Sequence, residues 1–571
     1  MQRKNSDNTV ATNHKPSNFS TVFHFHTKSP STLRILAACG VLGPILVVVA
    51  VLSSGVDWNL PTTKLLLLAG QYLIFLPIIL WLLWQWRNTS DTTSPIAFYR
   101  IMTTVSVSLY VLILLPLAFV LGRGIYQGDE SAYLFEARCL NAGRLYMAQP
   151  LLLPVATISY AHHLVWQGKW FGKYPGGWPL VLSLGALTRL EWLINPLLGG
   201  LLLWVVFHIG KQLLDTEAAR AAVVILALSG FFVLNCLGFM SHVLCGLLLA
   251  LATLCYSRYA RSGKAMWIGG VLACLVASSF VRPFTAICAG TTLIGVWTLR
   301  WNWRAVLRFA LWTGLFVLVV IGFSALQNFP LTGSYFISPY ALYNGGSMRE
   351  ISFRSSDLLQ GIFHDIPARL ADTSAVSFPF VFLLALYGFW RGKRDRLYWA
   401  LALPCCALVA GYVVETANSD SPIGERFYFE AYFAIALLAG AGWIQLTRYL
   451  RLDARFQRSI GIAGSIVSVA VIILCAHWEV DLRQPSRHLA SAAAHPPFTS
   501  GIVFLIGTDL WPASNLNYNR PSSSVLYLLD PGPSERAIIA ERAGERNWAC
   551  LEYDEQAKAA EWRCPPFKGR N

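Results

Sequence analysis

The sequence predicts an α-helical polytopic membrane protein, with about thirteen transmembrane helices and a small C-terminal α/β domain outside the membrane. Three observations carry that reading. Hydrophobic residues fill 55% of the 571 positions and charged residues only 13%, about half the charged share of a soluble globular protein. Apolar runs of about 20 residues, long enough to cross a hydrocarbon core, recur along the chain. Basic clusters fall between alternate runs, as the positive-inside rule requires of cytoplasmic loops.

Residues 1–31 are polar, basic and rich in Ser and Asn, which predicts a disordered cytoplasmic N-terminus and not a secretory signal. Two N-terminal spans are expected within 32–99, at 32–53 and 62–86. A core over 100–477 follows. Its spans are expected at 100–121, 192–213, 217–237, 240–259, 266–280, 284–299, 305–326, 374–391, 397–416, 428–447 and 458–477. The stretch 266–299 reads as two short helices, because Pro283 interrupts the hydrogen-bond ladder after Arg282. With the N-terminus inside, the inner loops carry Arg87 and Arg100, Lys211 and Arg220, Arg258, Arg261 and Lys264, Arg300 and Arg304, and the clusters at 391–396 and 448–458. The first outer loop 122–191, the segment 328–373, the loop 415–427 and the tail 478–571 then share the opposite face. The tail holds short aliphatic runs, GIVFLIG and SVLYLL, broken by Pro, Asn and Ser, which suit strands of a small α/β unit.

The net charge of +15 belongs to those inner loops. No basic helix or basic repeat suits nucleic acid, so that partner is excluded. Nine of the 12 cysteines lie in or beside apolar segments and read as small buried hydrophobes. Cys550 and Cys564 share the tail and can pair if it lies in an oxidising compartment.

The chemistry is expected in the long loop, between Gly122 and Pro179. Asp129 and Glu130 stand together there, ahead of a short helical pattern. Lys173 and Tyr174 precede a Pro-Gly-Gly turn. An ionised carboxylate can act as a general base, or the two acids can simply favour the first turn of a helix. A lysine can bind phosphate as a point charge, or snorkel at the interface. Arg138 lies eight residues past Glu130 and can reach phosphate or stay solvated. Arg282 at membrane depth needs a partner or water. His242 opens a helix after FMSH. Arg426 stands four residues before Glu430, which makes an Arg426–Glu430 pair the simplest local arrangement. The doublet His162–His163 is a weak metal signal.

These residues resemble a known family. GDESAYLFEARCLNAGRLY is similar to the acidic first-loop motif of the GT-C membrane glycosyltransferases, and KWFGKYPGGWPLVLSLGAL to the segment after it. FMSH, VRP, TGSYFISPY and GERFYFEAYFAIALLAGAG follow in the order of bacterial members, the protein O-mannosyltransferase-like and aminoarabinose-transferase-like enzymes. The resemblance covers roughly residues 100–450, by the same count of spans. It implies a GT-C-like fold in the cell inner (plasma) membrane, with a periplasmic C-terminus. It also implies an enzyme moving a sugar from a polyprenyl-phosphate-linked donor to an acceptor glycan, lipid or protein, with inversion. By that resemblance Asp129 is the general base. Glu130 orients the acceptor or binds a divalent cation, Mg or Mn. Lys173 and Tyr174 meet the donor phosphate, and Arg426, Arg282, His242 and Arg138 are candidate substrate contacts. A transporter or flippase, a polysaccharide polymerase or ligase of the cell envelope, and a non-catalytic relative are the competing readings. No two-fold internal repeat of transporter type is visible.

Overall fold

The computed structural model describes residues 95–121, 128–149, 162–298, 303–345, 361–414, 424–507, 524–545, 547–554 and 559–568, with single positions at 125, 158 and 516. The expected N-terminal segment 1–31, the spans at 32–53 and 62–86, and parts of the outer loops lie outside the described residues.

The chain opens with α1 (Pro95–Leu121), α2 (Gly128–Asn141), β1 (Met147–Ala148), β2 (His163–Trp166), β3 (Lys169–Gly172), α3 (Gly177–Ala186) and α4 (Glu191–Leu213). Next come α5 (Thr216–Ala227), α6 (Gly230–Asn235), α7 (His242–Ser262), α8 (Met266–Ser279), α9 (Pro283–Thr298), α10 (Trp303–Thr332) and α11 (Pro339–Tyr343). After a π turn at Gly361–Asp365 follow α12 (Ile366–Val376), α13 (Val381–Gly392), α14 (Arg396–Val414), α15 (Phe429–Tyr449) and α16 (Ala454–Ala493). The tail supplies β4 (Ser500–Ile506), β5 (Ser524–Leu529), α17 (Arg536–Arg542), β6 (Asn547–Asp554) and β7 (Ala559–Lys568).

Among the described residues, six helices are long and apolar enough to cross a membrane, or seven if α12 and α13, bent by 109°, form one span. Four more apolar helices, including α8, α9 and α14, are shorter. This is a multi-pass membrane protein. Its bundle exposes leucines such as Leu112, Leu311, Leu318 and Leu386, all more than 60% exposed, as a lipid-facing surface must.

Three expected spans differ from the structure. The run 217–237 is broken between α5 and α6 at Leu228–Ser229. There the backbone meets the end of α12 so closely that a Cβ on Gly230 would lie 2.7 Å from the Val376 carbonyl. The span expected at 374–391 begins only at Val381, after Phe380 takes a left-handed φ of 61°. The span expected at 458–477 runs on to Ala493, because its polar second half finds buried partners (below) instead of leaving the bundle.

Glycines set the tightest packing. A Cβ on Gly442 of α15 would stand 2.0 Å from the Leu384 carbonyl of α13, and one on Gly388 2.1 Å from the Leu438 carbonyl. Such small-residue contacts let membrane helices approach backbone to backbone.

The helices sort into two ends. Arg448 at the end of α15 bridges Asp215 and Glu217 at the start of α5, and Tyr99 near the start of α1 meets Trp443 and Gln457. The starts of α7, α9 and α15 meet at the other end, with α2 and the sheet β1-β3-β2 over them.

The tail forms a four-stranded sheet, β5-β4-β6-β7, parallel except for the β6–β7 pair. One face packs on Phe135 of α2, Trp170 of β3 and Leu489 and Ala493 of α16. The sheet therefore braces the long loop. Cys550 and Cys564, opposite one another on β6 and β7, form a disulfide. Its sequence separation of 14 residues predicts that Cys550→Ser loosens the sheet by up to about 3 kcal/mol. Limited proteolysis should then release the tail faster than in the wild type.

Candidate active site

Asp129 sits in the first turn of α2, where a carboxylate is favoured by the helix dipole. Its side chain is 13% exposed and lies among cations. Arg426 Nη2 is 3.0 Å from Oδ2, and His162 Nε2 is 3.1 Å from Oδ1. The Tyr174 hydroxyl donates to Oδ1. Burial alone would raise the carboxyl's pKa. Arg426, His162, the Tyr174 hydroxyl and Lys173 outweigh it and hold the pKa at about 2. The same surroundings push the Tyr174 phenol well above its usual value, burial first and the Asp129 charge second.

Lys173 is buried, 6% exposed, with its ammonium 4.5 Å from the Tyr343 ring centroid, 4.6 Å from Tyr340 and 5.3 Å from Tyr174. An ammonium over aromatic faces is held by their quadrupoles. Both outer tyrosines come from α11, whose N-cap Ser338 accepts the Ala341 N–H. The loop floor is fixed by Glu136 of α2. Burial pushes its carboxyl well above the usual range, and the Tyr174 backbone N–H partly offsets this. A Cβ on Gly172 would sit 2.1 Å from its Oε1, so any larger residue there would displace the Glu136 carboxyl.

Beside this lies a second cluster. Glu430, fully buried at the start of α15, accepts an ion pair from Arg282 Nε at 2.9 Å and contacts His242 Nδ1 at 2.9 Å. Arg282 also donates to Ser241 Oγ (3.4 Å) and the Tyr412 hydroxyl (3.1 Å). Ser241 in turn shares a hydrogen bond with Tyr133, and Thr285 with Tyr412. Phe427 joins the clusters, since Arg282 and Arg426 both stack over its ring. Glu425 pairs with Arg369 behind them (3.3 Å).

The structure thus brings Asp129, Lys173, Tyr174, Arg426, Arg282 and His242 to one end of the bundle. Two expected residues point elsewhere. Glu130 is 1% exposed and receives two bonds from Arg483, at 3.0 and 3.1 Å, plus the Phe239 N–H at 3.0 Å. These bonds tie Glu130 to α16 and to the backbone ahead of α7, and not to the Asp129 side of the site. Arg138 pairs with Glu191 at 3.3 Å, more than two turns of α2 away from Asp129. The local Arg426–Glu430 pair is also replaced: Arg426 turns to Asp129, and Glu430 takes Arg282 and His242. Sequence reading missed Arg483, which carries no motif, and read His162 only as half of a histidine doublet, whereas the structure sets it beside Asp129. Among the described residues no three His, Cys, Asp or Glu side chains gather to hold a metal ion. An apolar cavity of about 470 Å³, lined by Tyr99, Leu383, Trp443 and Phe456 among others, lies at the opposite end.

No family model matches the sequence, and no curated protein matches it. Among solved structures the chain is similar to ArnT from Cupriavidus metallidurans bound to undecaprenyl phosphate, at 12% identity and TM-score 0.49, over 79% of this chain and 93% of that one. It is similar to the Archaeoglobus fulgidus oligosaccharyltransferase in complex with Zn and sulfate, at 13% identity and TM-score 0.46, over 80% and 68%. A third is the arabinofuranosyltransferase AftD from Mycobacteria, at 16% identity and TM-score 0.36, over 73% and 30%.

Proposed function

We propose that the protein is a membrane glycosyltransferase that moves a sugar from a polyprenyl-phosphate-linked donor to a hydroxyl acceptor on the non-cytoplasmic face. One observation carries this: an ionised carboxylate, Asp129, whose counter-ions Arg426 and Lys173 are the groups a sugar phosphate would recruit. The order of the motifs shared with GT-C enzymes supports it, and so does the disulfide in the tail, since such bonds persist in oxidising compartments. The position of Asp129 at a bundle end, and not at mid-helix, favours transfer over transport.

In this reading the acceptor oxygen attacks the anomeric carbon as Asp129 takes its proton. The carbon–oxygen bond to phosphate breaks, the configuration inverts, and polyprenyl phosphate leaves with the electron pair. Lys173 and Arg426 neutralise the leaving phosphate as preorganised charges. Donor phosphate would draw these cations off Asp129. A base too weak at a pKa of about 2 then becomes stronger when substrate is in place. Glu130, next to the base in sequence, is bonded by Arg483 and takes no proton in this step.

The test is turnover by purified protein in nanodiscs, given a panel of polyprenyl-phosphate hexoses and pentoses with envelope glycans, lipids and proteins as acceptors. Label should pass from lipid to acceptor. Proteoliposomes that accumulate a labelled solute while leaving every donor intact would replace this reading with transport.

A further inference from the structure

The buried charges around Glu130 serve no reacting atom, yet they join three separate parts of the molecule. Arg483 and Glu479 stand on α16, near its C-terminal end. Arg483 Nε bonds Glu479 at 3.1 Å, and its two terminal nitrogens bond Glu130 at the start of α2. Glu130 also holds the Phe239 N–H, within the loop that leads to Ser241 and to His242 at the start of α7. That loop is pinned further by Trp178, whose indole N–H reaches the Phe239 carbonyl at 2.6 Å, and by Asn195, which reaches the carbonyls of Gly238 and Met240. Space is exhausted at the junction. A Cβ on Gly238 would lie 2.3 Å from Glu130 Oε1 and 3.2 Å from Arg483 Nη2. One turn further along α16, Ser486 accepts the N–H of Ile125, ahead of α2.

Adjacent helical residues project about 100° apart. Fixing Glu130 against Arg483 therefore fixes the rotation of the first turn of α2, and with it the direction of Asp129. A two-pronged guanidinium–carboxylate bond constrains orientation as well as distance, which an ammonium cannot do. We infer that Arg483 is a positioning residue for the reaction: through Glu130 it aims Asp129 at the Arg426–His162–Tyr174 side of the site. The inference rests on the function proposed above for Asp129. It gives α16 a task beyond spanning the bundle, and it couples the C-terminal sheet, which packs on Leu489 and Ala493 of the same helix, to the chemistry.

Two variants separate aim from fold. Arg483→Lys keeps the charge and loses the fork. The triple variant Glu130→Gln, Arg483→Met, Glu479→Gln removes every charge of the cluster, so none is left buried and unpaired. Each is compared with wild type for melting temperature, for kcat and donor KM, and for the ionisation of the Asp129 carboxyl, followed by carbon-13 NMR of aspartate-labelled protein with Asp129→Asn as the assignment control. Both variants should fold, lose about 10–100-fold in kcat with donor KM within about threefold, and show the Asp129 pKa raised by about one pH unit or more. Folded variants with wild-type kcat and unchanged Asp129 ionisation would overturn the inference. So would a rise in KM alone, or a failure of both variants to fold. An inert wild type would reject the glycosyltransferase reading instead, and the NMR comparison would still decide whether Arg483 sets the state of Asp129.

Discussion

Asp129→Asn should lower sugar transfer by about 10²–10⁴-fold, the usual contribution of a positioned base, while the protein still inserts and binds donor. The asparagine keeps the shape and can still accept from Arg426 and Tyr174, but it cannot take a proton. Two pH measurements sharpen the result. The folded pKa of Asp129, about 2, lies below its ordinary 3.8. The carboxylate therefore adds stability that is fully present above about pH 4 and lost as pH falls towards 2. The gap corresponds to about 2 kcal/mol. The melting temperature in detergent should fall more steeply between pH 4 and 2 in wild type than in Asp129→Asn. In catalysis, kcat/KM reports the free enzyme and kcat the enzyme with substrate bound. If donor phosphate draws Arg426 and Lys173 away, the acid limb of kcat should stand at higher pH than that of kcat/KM. Coincident limbs would mean that the cations never leave Asp129.

The polar loop was legible in the sequence because its chemistry is local. Asp129 and Glu130 favour a helix start, and Lys173 with Tyr174 precede a turn forced by Pro175 and two glycines. Apolar length likewise located the long helices α4, α7, α10 and α15. What the sequence hid was the choice of partner. Arg426 and Glu430 are one helical turn apart in number, yet Arg426 lies in a 3₁₀ turn ahead of α15, which directs it away from Glu430 and towards α2. Glu130 and Asp129 are neighbours in number but face different walls. No spacing rule connects Glu130 with a residue 353 positions later. The broken span at Leu228–Ser229 was equally hidden, because apolar content was unchanged across it and only the packing of Gly230 on α12 shows the break.

Glu430→Leu should be the most destabilising single substitution among the site residues. Glu430 is fully buried, and Arg282, 15% exposed, is held beside it with His242 on the other side. Removing one partner of a buried pair strands the other charge, a loss of about 3–5 kcal/mol. The variant should express poorly and melt well below wild type. The pairing predicts its own rescue. Adding Arg282→Met to Glu430→Leu removes the stranded cation and should recover most of the stability, because an apolar pair of similar volume often replaces a buried ion pair without loss. Arg426→Met should give no such rescue, since its carboxylate is Asp129. If Arg426→Met rescued Glu430→Leu and Arg282→Met did not, Arg426 would be bound to Glu430 after all. Asp129 would then lose its principal counter-ion, and the site would lack the cation that has to pass from base to leaving phosphate.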